Sequence, residues 1–178
     1  PNGPVTAADH IEMEVPSGEI CVLLGPSGCG KTTTLKMVNR IIPATSGKIY
    51  LGGEDTSGMD TVTLRRNIGY VIQQIGLFPN MTIGENIALA SRRGMRRNLG
   101  WVRDRKLTEK IRERVSRLNM GLENRLEDPI GTLSGGQRQA LTLMMATWVK
   151  PKLLLLDEHT AALDPKSADQ VIQLSEEE

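Results

Sequence analysis

Aromatic side chains are nearly missing from this chain: two tryptophans, two tyrosines and one phenylalanine stand among 178 residues. A protein that grips single-stranded nucleic acid stacks bases on such rings. The basic stretch from Arg92 to Arg117 holds only Trp101 and has acids interleaved in its second half. It therefore reads as a solvated helical face, and no nucleic-acid partner is expected. Net charge is equally scarce, at +1, so no bulk field draws the chain to polyanions or anionic lipid. Two cysteines, Cys21 and Cys29, form no CxxC pair, which excludes a disulfide framework and a zinc site and suits a reducing compartment. No apolar run approaches the roughly 20 residues that span a bilayer. The first residues, Pro-Asn-Gly-Pro, lack the basic and apolar regions of a signal peptide. The expectation is a soluble domain that reaches a membrane only through a partner.

What is present is organised around phosphate. Gly25-Pro-Ser-Gly-Cys-Gly-Lys-Thr32 is a G-x-x-x-x-G-K-T loop. Ahead of it the apolar run Ile20–Leu24 suits a strand buried on both faces, and behind it Leu35, Met37, Val38 and Ile41 carry helical spacing. Gly25, Gly28 and Gly30 let backbone N–H groups, including those of Ser27 and Cys29, converge on an anion. Lys31 sets a point charge against the β- and γ-phosphates, the Thr32 hydroxyl is a magnesium ligand, and Thr33 bonds an α- or β-phosphate oxygen. Cys29, beside Lys31 at a helix start, is expected to be a nucleotide-protected thiol, and Cys21, inside the apolar run, an inert one. Downstream, four leucines end in Asp157 and Glu158. Asp157 would hold magnesium and Glu158 would polarise the attacking water. His159 is tempting as an alternative base, but local hydrogen bonding in the turn is its expected role.

Other segments read more simply. Ile11–Val15 alternates like a half-exposed strand, Lys48–Leu51 before Gly52-Gly53 looks like a hairpin arm, and Asn67–Ile72 is a further strand. Leu107, Ile111, Val115 and Leu118 make one apolar helical stripe. Gln137 to Trp148 is a helix, and Asp164-Pro165 opens another. The eight methionines read as core filler.

Between loop and acids stands Leu133-Ser-Gly-Gly-Gln137, another anion-binding helix start. With the phosphate loop before it and the Asp-Glu strand behind, it resembles the ATP-binding cassette, the motor domain of ABC transporters, over nearly the whole chain. That resemblance implies an α/β fold: a P-loop NTPase core, RecA-like, with a mixed sheet and flanking helices, formed by residues 1–73 and 138–178. A helical signature subdomain over 74–137 is inserted into it. The cofactors implied are ATP and Mg2+. Gln73 matches the glutamine of the Q-loop, touching magnesium or water, with Gln74 the competing choice. Ser134, Gly135, Gly136 and Gln137 would cap the γ-phosphate held by a second cassette in a head-to-tail homodimer. Asp164, in Ala161-Ala-Leu-Asp164, would reach across that dimer. Leu77, Phe78 and Pro79 would receive a transmembrane permease, unless Phe78 folds back into the helical core. The chain is then a cytoplasmic ATPase, peripheral at the inner face of the membrane.

The family also includes DNA-repair, chromosome and translation ATPases. Their long coiled coils, zinc modules or tandem cassettes are not matched here, where about 100 residues separate loop and signature. Val38–Ile42, Ser46–Tyr50 and Leu64–Pro79 look like osmoprotectant importer ATPases. The second half looks like a different uptake group, as in a mosaic joined near Glu85–Leu89. The family's adenine-stacking aromatic and switch histidine are not among these residues, so the chain as it stands is expected to bind ATP and hydrolyse it poorly. A nucleotide-binding fragment is the corresponding alternative.

Overall fold

In the computed structural model, residues 6–72, 76–93 and 105–157 are described. Residues 1–61 and 62–178 form two compact units.

In the first unit, helix α1 (Lys31–Val38) follows the phosphate loop. It closes through the Asn39 and Arg40 amides, which donate to Leu35 and Met37. A short antiparallel hairpin follows, β1 (Tyr50–Leu51) with β2 (Glu54–Asp55), turned by two glycines at positive φ. The Arg40 guanidinium donates to the Thr56 and Met59 carbonyls at 2.9 and 2.6 Å, tying the end of α1 to the hairpin exit.

The run Ile20–Leu24 departs from the sequence expectation. It forms no ladder, and Ile20, Val22 and Leu24 are 79%, 69% and 88% exposed. Ile11–Val15 likewise forms no strand. The two segments meet through a turn, Glu19 N–H to Pro16 carbonyl at 3.2 Å with Gly18 at φ +81°, and the Cys21 thiol lies 3.6 Å from the Met13 sulfur. Apolar composition favours a buried strand only where neighbours supply both ladder partners and covering side chains. Neither is supplied to this run among the described residues.

The second unit holds the core. Helix α2 (Thr61–Arg66) leads into β3 (Ile68–Val71), which pairs in parallel with β4 (Leu153–Leu156) in the register Ile68↔Leu153 to Val71↔Leu156. Helices α3 (Ile83–Ser91), α4 (Arg105–Ser116) and α5 (Gly135–Thr147) enclose an apolar cluster with Val71. The sequence stripe is realised: Ile111, Val115 and Leu118 are buried and Leu107 packs against them, while the charged face of α4 is solvated. Gly69 lets α5 close on the strand pair, since a Cβ there would stand 2.8 Å from Leu154 and 3.0 Å from the Ala146 carbonyl. Thr82 starts α3 with a capping box, its hydroxyl accepting from Glu85 N–H while the Glu85 carboxylate accepts from Thr82 N–H. Arg114 lies over the Trp148 ring at 4.5 Å and donates to the Trp148 carbonyl, which joins α4 to the end of α5. Arg93 donates to the Arg65 and Ile68 carbonyls. Burial pushes its guanidinium below its ordinary pKa, although it stays charged at neutral pH.

Candidate nucleotide-binding site

The loop Gly25–Thr32 is shaped by its glycines. Gly28 sits at φ +82° with open space where a Cβ would be. Gly30, the N-cap of α1, has φ +95°, and a Cβ there would lie 2.2 Å from the Ala7 carbonyl oxygen. No other residue type fits that position. The Cys29 amide donates to Pro26, and Thr34 returns both its amide and its hydroxyl to the Gly30 carbonyl, so the turn enters the helix without slack. The amides of Lys31, Thr32 and Thr33 then belong to the first helical turn, where a helix offers no acceptor of its own.

Lys31 bends back over the loop. Its ammonium donates to the Gly25 carbonyl at 2.7 Å and the Pro26 carbonyl at 2.9 Å, with the Cys29 sulfur 3.5 Å away. The ammonium is therefore held over the loop by the loop's own carbonyls. This arrangement fits a polyphosphate, because an open glycine turn, a helix start and one ammonium belong to the same short loop. Ser27, Gly28 and Cys29 are exposed to solvent, as a ligand's approach requires. Cys21 is exposed as well. The burial expected to shield it is not formed.

In the second unit, Ser134 opens α5 with another capping box. Its hydroxyl accepts from Gln137 N–H at 3.2 Å, and the Gln137 side-chain oxygen accepts from Ser134 N–H at 3.0 Å. Gln137 is thus used in holding the turn. The amides of Gly135 and Gly136 remain in the first turn, with open space around the Gly135 Cβ direction.

Asp157 directly follows β4 and is 4% exposed. Its amide donates to the Val71 carbonyl, and the Tyr70 hydroxyl lies 3.4 Å from its carboxylate. The pairing of Tyr70 with Leu155 explains the contact, since Leu155 and Asp157 project on the same face two residues apart. Burial, then the Asp157 charge, raises the Tyr70 pKa above its ordinary value. Among the described residues no cluster of three or more His, Cys, Asp or Glu could hold a metal ion. A cation at Asp157 would depend on ligand oxygens too, in the way magnesium takes one or two carboxylates plus phosphates.

Gln73, Gln74, Trp101, Glu158, His159 and Asp164 lie outside the described residues. Of the expected partner surface, Leu77 packs against the core, whereas Phe78 is 50% exposed. The alternative in which Phe78 folds inward is not the one realised. Sequence reasoning missed Asn86, a completely buried carboxamide on α3. Its signal was a polar residue on the core-facing helical positions shared with Ile83 and Ile87. Also missed was Tyr70, concealed in a strand where an aromatic reads as filler.

The pattern of a family described as ABC transporter matches residues 8–161. The osmoprotectant import ATP-binding protein OsmV of Salmonella typhimurium is 50% identical over 162 residues, which cover 91% of this chain and 41% of that protein. The glycine betaine/carnitine/choline transport ATP-binding protein OpuCA of Bacillus subtilis is 44% identical over 165 residues, 93% of this chain and 42% of that one. This chain therefore spans about two fifths of the length of these relatives. The stretch matched by OsmV covers 91% of this chain and so runs across Glu85–Leu89. A bacterial ABC transporter cassette solved as a dimer superposes with a TM-score of 0.76 at 29% identity, over 93% of this chain and 73% of that one. No helix among the described residues is long and apolar enough to cross a membrane.

Proposed function

Because this chain belongs to the ABC transporter family, we propose that it is the ATP-binding and ATP-hydrolysing part of a subunit that energises an importer. Osmoprotectants are the cargo class its relatives' names favour. Those names speak for transport over repair or translation. The observation that carries the reading is the existence of two anion-ready helix starts in one chain, at Lys31 and at Gly135. One chain needs a single phosphate site, and a second makes sense when it serves another copy.

In this reading residues 1–73 and 138–178 are the ATP-binding core and 74–137 the signature subdomain. The amides from Ser27 to Thr33 and the Lys31 ammonium hold the phosphates, and Thr32, Asp157 and Gln73 would hold magnesium. Magnesium, when bound, neutralises phosphate charge as the terminal bond breaks. Glu158 takes the proton of the attacking water, and Gln73 orients that water. Ser134, Gly135, Gly136 and Gln137 close over the terminal phosphate of the partner copy, and Asp164 lies along the seam. Capping by Ser134 and Gln137 keeps the α5 start preorganised, so little ordering cost remains at closure. Leu77–Pro79 faces the transmembrane permease, and the subunit works on the cytoplasmic side.

The test is association. Glu158→Gln removes the base but leaves the binding groups, so light scattering should show its mass doubling with Mg-ATP and not with ADP. A variant that binds Mg-ATP yet stays monomeric would overturn the shared-site reading.

A further inference from the structure

Asn86 is completely buried, yet the residue it holds is not. Its side-chain oxygen accepts from Phe78 N–H at 2.8 Å, and its amide nitrogen donates to the Phe78 carbonyl at 3.2 Å. It therefore pairs with both backbone groups of Phe78, as a neighbouring strand would. The same nitrogen reaches the Thr82 carbonyl at 2.9 Å and the Met81 carbonyl at 3.5 Å. Within this bracket the Met81 amide closes a turn onto Phe78 at 3.1 Å. Leu77, just before, is anchored in the apolar cluster. The Phe78 ring between these anchors stays half exposed.

Burying a carboxamide is costly unless its hydrogen bonds are made. Here that group fixes the backbone of a residue whose ring adds little to the core. Core cohesion alone does not account for such an arrangement, whereas presentation of the ring does. We propose that Asn86 is a positioning residue: it holds the Phe78–Met81 turn rigid, so that the Phe78 ring meets an apolar element of the transmembrane partner already ordered. Asn is required by chemistry. Aspartate would set a carboxylate against the Phe78 and Thr82 carbonyls, and leucine would leave the Phe78 N–H unpaired. The proposal rests on the reading that Leu77–Pro79 faces a permease.

The single phenylalanine supplies a clean probe, because 4-fluorophenylalanine labels one site. In the full chain the fluorine resonance should be one narrow line. Asn86→Asp should broaden it or move it toward the free amino acid, with the helical circular dichroism retained. An unchanged line in a folded Asn86→Asp would overturn the proposal. Should that variant fail to fold, hydrogen exchange of the wild-type Phe78 amide decides: protection supports the clamp, and exchange at the rate of an open loop refutes it. Partner contact is read separately, by co-sedimentation with source-cell membrane vesicles stripped of their own cassettes. Phe78→Ala and Asn86→Asp should both weaken it, by about tenfold for Asn86→Asp. If Phe78→Ala binds normally, the permease reading of this surface fails. If Phe78→Ala loses binding and Asn86→Asp does not, the positioning role fails.

Discussion

Ile87, Val115 and Leu141 in residues 62–157 are fully buried, while Ile20, Val22 and Leu24 in residues 6–61 lie largely in solvent. Both sets are equally apolar, so composition does not separate them. The difference is in what each element needs. A helix satisfies its own backbone and requires only one covered face, which α3, α4 and α5 give one another. A strand needs ladder partners from elsewhere, and an apolar run without them stays a run. The site follows the same division. The phosphate loop is shaped by local turns, glycine conformation and one lysine, and does not wait on a core. Asp157 is instead placed by the pairing of β4 with the distant β3.

The largest expected effect tests that division directly. Leu141→Ala should destabilise residues 62–157 by about 2–5 kcal/mol, the cost of a cavity in a packed core. Val22→Ala should shift stability by within about 0.5 kcal/mol, as an exposed substitution does. Denaturant titration followed by circular dichroism measures both. Equal losses would mean that the run at 20–24 is packed as tightly as the core, and the contrast would disappear.

How much could be read beforehand follows from the same physics. The stripe Leu107, Ile111, Val115 and Leu118 announced α4, and Leu133-Ser-Gly-Gly-Gln137 announced the helix start of α5. Both are signals within a few residues. The Gly52-Gly53 hairpin and the strand ending at Val71 were legible for the same reason. Ile20–Leu24 was misread because its apolar pattern describes a preference without naming a partner. Tyr70 escaped because its role is set by Asp157, 87 residues away, and Asn86 because its partner Phe78 lies eight residues back, beyond the helical spacing.

Within the loop, two glycines sharpen the comparison between conformation and contact. Gly28→Ala meets only the left-handed backbone penalty, about 1–2 kcal/mol. Gly30→Ala meets that penalty and a collision with the Ala7 carbonyl, which is backbone and cannot swing aside. Titration with a fluorescent ATP analogue should show weakened binding for Gly28→Ala and none for Gly30→Ala. Matching affinities would indicate that the Ala7 segment does not lie against the loop.

Lys31→Ala should lower ATP affinity at least about tenfold, or 1.4 kcal/mol. Its ammonium is the cation held over the loop, and it also braces the Gly25 and Pro26 carbonyls. Glu158→Gln should bind ATP as the parent chain does and fail to turn it over. A parallel loss of affinity in both variants, read by the same titration, would remove the separate roles given to cation and base.

The smallest effect concerns the hairpin exit in residues 6–61, where acid should act on one carboxylate. Asp55 accepts from the Ser57 amide at 2.9 Å and caps the short turn that follows β2, with Lys48 3.5 Å away. The Ser57 hydrogen bonds, and after them the Lys48 charge, hold its pKa below the ordinary 3.8. A carboxylate with a depressed folded pKa adds stability that is fully present above its unfolded value and is lost as pH falls through the folded one. At neutral pH the parent chain should therefore melt slightly above Asp55→Asn. That gap should close as the pH falls through the depressed folded pKa, below which both forms carry a neutral group. Thermal melts of the two proteins across that range measure it. A gap that stays constant or widens toward low pH would show that Asp55 acts there through shape and not through charge.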